Sequence, residues 1–376
     1  MVIFAVGLVF ASFIWSKASA IGAETKAVLA GIQKMKIPEE FRSKYGGQES
    51  WLGNKLAELR GEKQAGGGTL KFRAQIVLAH PAFISGVPLD VLFKMVDAFK
   101  ELGVDGVDIN PGFEPWLHPE LNKEDLNKYD ALIEYIKKND LEVWLAYHCG
   151  VDPEAIKDWD WEKYKKVELA TLKTWVERYH PAGINVVHEI TTMESRWRKS
   201  VSIEEWARLV EEGCRLIKNL DPGILTGAGG LPYEKEMECL RKYLNVKELD
   251  FVHLNIYDQW FHTFNNYETM IKWAKNAGKK VYIGEAWRNA AFPEPGNVFP
   301  LFWEPLDIKF LEAVTLYAGT REIEAVCFWW TNLFFKYQDP DQPTKEYFKA
   351  VYQAIHDGKR TSVYRALGEI IKAERR

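Results

Sequence analysis

The sequence predicts an α/β chain, a (β/α)8 TIM barrel with an N-terminal helical extension. Eight short apolar runs, rich in β-branched and aromatic residues, alternate with amphipathic segments, the pattern of strands and helices in βα units. The alternation extends over roughly 300 residues, the length of a closed barrel. No GxGxxG follows the first run, as an open doubly wound sheet that binds a dinucleotide would require.

The elements follow in order. Val2 to Trp15 is an apolar run that leads into Ser16-Lys17-Ala18-Ser19-Ala20, the small-x-small form of a signal-peptidase site. Residues 1–20 are therefore expected to be a signal peptide or, if uncleaved, a membrane anchor, and the protein to be secreted or held at the cell surface. Ile21 to Gly68 reads as a polar helical extension that ends in the joint Gly66-Gly67-Gly68. From 69 to 376 the chain is expected to form the catalytic barrel. Its strands are predicted at Phe72 to Ala79, Gly106 to Asn110, Glu142 to Tyr147, Gly183 to Glu189, Gly223 to Gly227, Phe251 to Tyr257, Lys280 to Glu285 and Ala325 to Trp330.

Helices are predicted at Leu89 to Leu102, Lys123 to Lys138, Trp161 to Tyr179, Ile203 to Leu220, Tyr267 to Ala277 and Leu306 to Ala318. In the first of these, Val91, Met95, Val96 and Phe99 have the spacing of one buried helical face. Tyr347 to Ala373 supplies the eighth helix and a terminal one.

Composition narrows the function. The formal net charge is −4, and Lys and Arg are dispersed among Asp and Glu, so nucleic acid is not an expected partner. Aromatic residues make up 14% of the chain and several follow strand ends, which suits stacking on flat, partly apolar ligands such as sugar rings. Cys149, Cys214, Cys239 and Cys327 form no CxxC pair. Buried free thiols are expected, with Cys214 and Cys239 the one pair placed to bond.

Barrel active sites lie at the C-terminal ends of the strands. Those ends carry His80, Asn110 with Trp116 beyond it, Tyr147-His148, His188-Glu189, Asn255 and Tyr257, Glu285 with Trp287, and Trp329-Trp330. Glu189 and Glu285 close otherwise apolar strands on opposite sides of the mouth. Hydrolysis of a glycosidic bond needs such a pair: one carboxyl protonates the leaving oxygen, and the other attacks the anomeric carbon or activates water. Either glutamate alone would be as well explained by a salt bridge. Trp116, Trp260, Trp287 and Trp303 are candidates to cover the rim or to stack on sugars.

In these residues the chain resembles the clan A glycoside hydrolases, which place an acid/base Glu after the fourth strand and a nucleophile Glu after the seventh. The resemblance implies Glu189 as acid/base and Glu285 as nucleophile of a retaining β-glycosidase acting on a β-linked oligo- or polysaccharide. Asn255-Ile256-Tyr257 is similar to the clan's His-x-Tyr, and Trp329-Trp330 to its Trp platform beneath the sugar, for which Trp330 is favoured because it directly precedes the turn. Two positions depart from the clan. His188 stands where the clan has an Asn that reaches the sugar 2-hydroxyl, and Asn110-Pro111-Gly112 stands where several families carry Arg.

The expected substrate-binding set is His188, Asn255, Tyr257, Trp329, Trp330, His148, Asn110, Trp287, Trp116 and Trp260. The expected partner is a carbohydrate, with no cofactor and no metal. Two other readings compete: a sugar-binding barrel without turnover, and a metal-dependent barrel hydrolase using His80, His148, His188 and His253. No HxH ends the first strand to support the metal. His253, which shares strand parity with Asn255 and Tyr257, is expected to point inward as a core residue.

Overall fold

The computed structural model describes residues 21–32, 37–62, 70–112, 122–146, 153–288, 300–339 and 342–375. The predicted leader over 1–20, the glycine joint, Trp116, Tyr147, His148 and Cys149 lie outside them.

Eight parallel strands close into a barrel in sequence order. They are β1 (Lys71–Gln75), β2 (Gly106–Ile109), β3 (Glu142–Ala146), β4 (Gly183–His188), β5 (Leu225–Gly230), β6 (Phe251–Ile256), β7 (Lys280–Ala286) and β8 (Ala325–Phe328). The first strand is shorter than predicted, because Val77–Ala79 coils into a 3-10 turn. The fifth begins later and runs further. Its Thr-Gly-Ala-Gly-Gly looks like a loop in sequence, but bulky neighbours fill the space that its side chains would occupy: a Cβ on Gly227 would stand 2.1 Å from the Phe251 ring.

Helices α1 (Ala23–Ile32) and α2 (Glu39–Gly61) form the extension. Around the barrel run α3 (Leu89–Leu102), α4 (Lys123–Lys138), α5 (Trp161–Tyr179), α6 (Ile190–Trp197), α7 (Ile203–Leu220), α8 (Glu234–Tyr243), α9 (Trp260–Asn276), α10 (Glu304–Thr320), α11 (Thr344–His356) and α12 (Ser362–Glu374). The helix predicted from Tyr267 starts earlier, at Trp260, and non-helical backbone at Thr263 marks a kink there.

Inside the barrel, Trp144, Phe251, Tyr282 and Ala325 pack as a floor. The Arg73 guanidinium lies 4.1 Å over the Trp144 ring and 5.2 Å from Tyr282, a cation held on aromatic faces. Helix α10 is buried on nearly every side, from Pro305 through Ala318, so it needs a cover. Helix α2 provides one, lining up Tyr45, Gln48, Leu52, Leu56 and Leu59 at helical spacing. Cys214, Cys239 and Cys327 are buried free thiols, so the candidate Cys214–Cys239 bond is not made.

Two irregularities in the ladder position the mouth. On β4 the register slips between Asn185 and Val187, and on β7 between Ile283 and Ala286. An extra residue in one strand bends it and re-aims the side chains that follow. From Gly183 and Asn185, which face inward, strict alternation would turn His188 outward; from Tyr282 it would do the same to Glu285. The bulges turn both into the barrel. Gly284 makes the second possible, since a Cβ there would sit 1.7 Å from the His253 ring.

Candidate active site

Glu189 follows β4 as the first residue outside α6, with φ 51° and ψ 63°. That left-handed backbone is uncommon for a residue with a side chain, and it lets the strand end turn abruptly so that the carboxyl looks across the mouth. Its Oε1 accepts from Asn255 Nδ2 at 2.6 Å and lies 3.0 Å from Tyr257 Oη. Thr192 Oγ1 donates to Oε2 at 3.1 Å. Glu285, from β7, accepts Asn110 Nδ2 at 3.1 Å and the Tyr257 hydroxyl. Tyr257 thus bridges the two carboxyls. Glu189 is 7% exposed and Glu285 1%.

Histidines set the amide directions. His253 Nε2 lies 2.8 Å from Asn255 Oδ1. Burial, then the charges of His188 and Arg73, hold the His253 pKa well below its usual range, so the ring is neutral and donates through Nε2. With Asn255 Oδ1 occupied, its Nδ2 must face Glu189. His188 behaves oppositely. Burial disfavours its charge, but the Glu285 carboxylate 3.4 Å away, with Glu189 and Glu236 beyond, raises its pKa above the ordinary value. Deeper in the barrel, burial pushes the Asp108 carboxyl up to about 6 against the pull of Arg73, 3.4 Å away.

Glu189, Glu285, His188, Asn255, Tyr257 and Asn110 therefore converge, and Trp329 stands beside them with its ring centroid 5.1 Å from that of Tyr257. The inward parity of Ala325 and Cys327 continues to Trp329. Trp330, favoured from its place before the turn, is instead buried in the core, 4.4 Å from Trp329. Trp260 packs among Trp51, Phe310 and Tyr317, and Trp287 packs against Phe334. Both are 0% exposed, so neither ring offers a face to a sugar; the apolar space behind the strands claimed them. Trp303 stacks on Tyr45 of the extension. Of the four histidines considered for a metal, His80 caps a short helical turn and His253 bonds Asn255. Among the described residues, His188 is the histidine that joins the carboxylates: one atom each from His188, Glu189 and Glu285 lie within 4.8 Å of one another.

Residues that sequence reading did not single out are Asn185, Thr192 and Glu236. Thr192, three positions after Glu189, has the spacing of a first-turn contact. Glu236 lies in a helix whose sequence carries no sign that it reaches the site.

No family model matches the sequence, and no curated protein matches it. Solved structures do. A GH5_18 protein of Streptomyces cattleya in complex with GlcNAc aligns with TM-score 0.57 and 12% identity over 82% of this chain and 81% of that one. Cel5A of Thermotoga maritima, in complex with cellobiose, aligns with TM-score 0.50 and 16% identity over 76% and 97%. An endo-1,4-beta-D-mannanase of Thermotoga petrophila aligns with TM-score 0.50 and 13% identity over 70% and 88%. These neighbours are clan A glycoside hydrolases. The chain shares their barrel fold.

Proposed function

We propose that the protein is a retaining β-glycoside hydrolase that acts on a β-linked oligo- or polysaccharide. The observation that carries this is the facing pair: Glu189 and Glu285 each place a carboxyl oxygen within 4.8 Å of the other and share Tyr257. Retaining enzymes hold their carboxyls about 5 to 5.5 Å apart, whereas inverting ones leave roughly 6.5 to 9.5 Å for a water. The shared fold agrees with this reading.

Glu285 attacks the anomeric carbon while Glu189 protonates the departing oxygen. Water then attacks the glycosyl-enzyme ester, Glu189 takes its proton, and the sugar leaves with its original configuration. Asn110 and His188, both on Glu285, orient the nucleophile. Trp329 offers a ring beneath the sugar.

The test is hydrolysis of aryl β-glycosides with and without chelator, following the anomer released by NMR. Turnover that survives chelation and first releases the β-anomer is expected. A first-formed α-anomer would mean inversion, and binding without turnover would leave a sugar-binding barrel. The close grouping of His188 with both carboxyls gives the metal reading its one specific support, and loss of activity on chelation would favour it.

Export is part of the same proposal, and it rests on the Ser16 to Ala20 site alone. Mass spectrometry of protein from its native host should find a chain beginning at Ile21. An intact segment in the membrane fraction would show an anchor.

A further inference from the structure

The first turn of a helix leaves backbone N–H groups without partners, and the residue before it usually supplies a side-chain oxygen to one of them. For α6 that residue is Glu189, and its side chain makes no capping bond. Its carboxyl is turned into the mouth, toward Asn255 and Tyr257. Another residue does the capping. Glu236 reaches in from α8, and its Oε1 accepts the Thr191 backbone N–H at 3.1 Å and the Thr191 hydroxyl at 2.7 Å. Its Oε2 accepts the Leu231 N–H at 3.4 Å.

Glu236 is 4% exposed, and the close approach of Gly230 to the Glu189 backbone leaves it room. A Cβ on Gly230 would lie 2.7 Å from Glu236 Oε2 and 2.8 Å from the Glu189 nitrogen. The next residue, Thr192, holds the Glu189 carboxyl itself. One helical turn is thus fastened to Glu236 through Thr191 and to Glu189 through Thr192.

We propose that Glu236 is a positioning residue for Glu189: it takes over the cap that the catalytic side chain has vacated, and so holds the strained turn that aims the acid/base. The inference rests on the reading of Glu189 as acid/base. Burial pushes the Glu236 carboxyl up to about 7 against its bonds from Thr191, which marks how far its place in the core depends on those donors.

The test uses two aryl β-glycosides. Phenyl glycosides need the leaving oxygen protonated, whereas 2,4-dinitrophenyl glycosides do not, and kcat/KM reports the step in which that bond breaks. Glu236→Leu should lower kcat/KM by about 10- to 100-fold on the phenyl substrate and by less than about threefold on the dinitrophenyl one. Glu236→Gln, which keeps an acceptor for Thr191, should recover most of the loss. Should Glu236→Leu fail to fold, Thr191→Val removes the hydroxyl contact alone and should show the same leaving-group dependence more weakly.

Glu189→Ala is measured alongside. If it shows the leaving-group dependence while Glu236→Leu loses equally on both substrates, the positioning role is overturned. If Glu189→Ala shows none, or the enzyme turns over neither substrate, the acid/base reading has failed instead. Hydrogen exchange then decides the cap directly: the Thr191 amide should exchange about tenfold or more faster in Glu236→Leu, and unchanged exchange would refute the cap.

Discussion

Tyr257 has one phenolic hydrogen and two carboxyl neighbours. Burial, then the charges of Glu189 and Glu285, hold its pKa well above the ordinary value, so it remains a donor. It can donate to one carboxyl and accept from the other only when that second one carries a proton, which is the arrangement an acid facing a nucleophile requires. Tyr257→Phe should therefore lower kcat/KM by about 10- to 1000-fold without changing the unfolding midpoint, as for loss of a preorganised donor. A loss below twofold in steady-state kinetics would show the bridge to be incidental.

His188 stands where the clan's Asn reaches the sugar 2-hydroxyl, yet its nearest carboxyl is Glu285. Asn185 Nδ2 lies 3.3 Å from His188 Nδ1, while Asn185 Oδ1 is buried with no partner among the described residues. Amide oxygen and nitrogen are assigned from their bonding, and turning the amide over gives a protonated ring an acceptor. His188→Ala should lower kcat/KM by about 10- to 1000-fold, with His188→Asn retaining more. On a substrate lacking the 2-hydroxyl the loss should persist, because the partner is Glu285. Near-equality of wild type and variant there would show direct contact with the sugar.

Among the elements, α10 carries a buried acid that titrates near neutral pH. Its first residue, Glu304, is 2% exposed and accepts the Val363 N–H at 3.0 Å. Burial raises its pKa from 4.5 to about 7. The folded state therefore holds this proton more tightly than the unfolded chain does. That contribution is complete below the unfolded value of 4.5 and is lost as pH rises through about 7. At about 1.4 kcal/mol per tenfold it is worth on the order of 3 kcal/mol. Glu304→Gln keeps an acceptor and removes the titration, so its stability relative to wild type should improve by that order between pH 5 and pH 8. Urea denaturation at both values checks this, and a difference that does not change with pH would contradict it.

At the scale of the whole molecule, the extension is tied to the barrel through buried charge. Arg288 follows the end of β7 and pairs with Asp307 at 2.8 Å, both side chains 0% exposed. Gln48 of α2 accepts from Arg288 at 3.2 Å, and Tyr337 donates to Asp307 at 2.6 Å. The guanidinium also lies 4.2 Å over the Trp303 ring. Breaking such a pair from one side strands a buried charge and costs about 3 to 5 kcal/mol, whereas replacing both partners by apolar groups is often nearly neutral. Arg288→Met should thus be strongly destabilising in chemical denaturation, and Arg288→Met with Asp307→Leu should recover most of the loss. Additive losses in the double variant would disprove the coupling.

The alternation of apolar runs with amphipathic helices is a local property, set by burial on two faces or on one, and so the eight strands, the long helices and the positions of Glu189 and Glu285 could be read from the chain. The direction of a side chain is not local in the same way. Strict alternation from Gly183 and Tyr282 points His188 and Glu285 away from the mouth, and only bulges made by pairing with neighbouring strands turn them in. The choice between Trp329 and Trp330, and the burial of Trp260 and Trp287, likewise depended on which space the packed helices left empty. Glu236 is separated from Glu189 by forty-seven positions, and nothing in its own segment distinguishes it from a solvated helix acid. The tertiary structure brought it under the turn at Glu189, because a cap needs proximity in space and leaves no periodic trace in sequence.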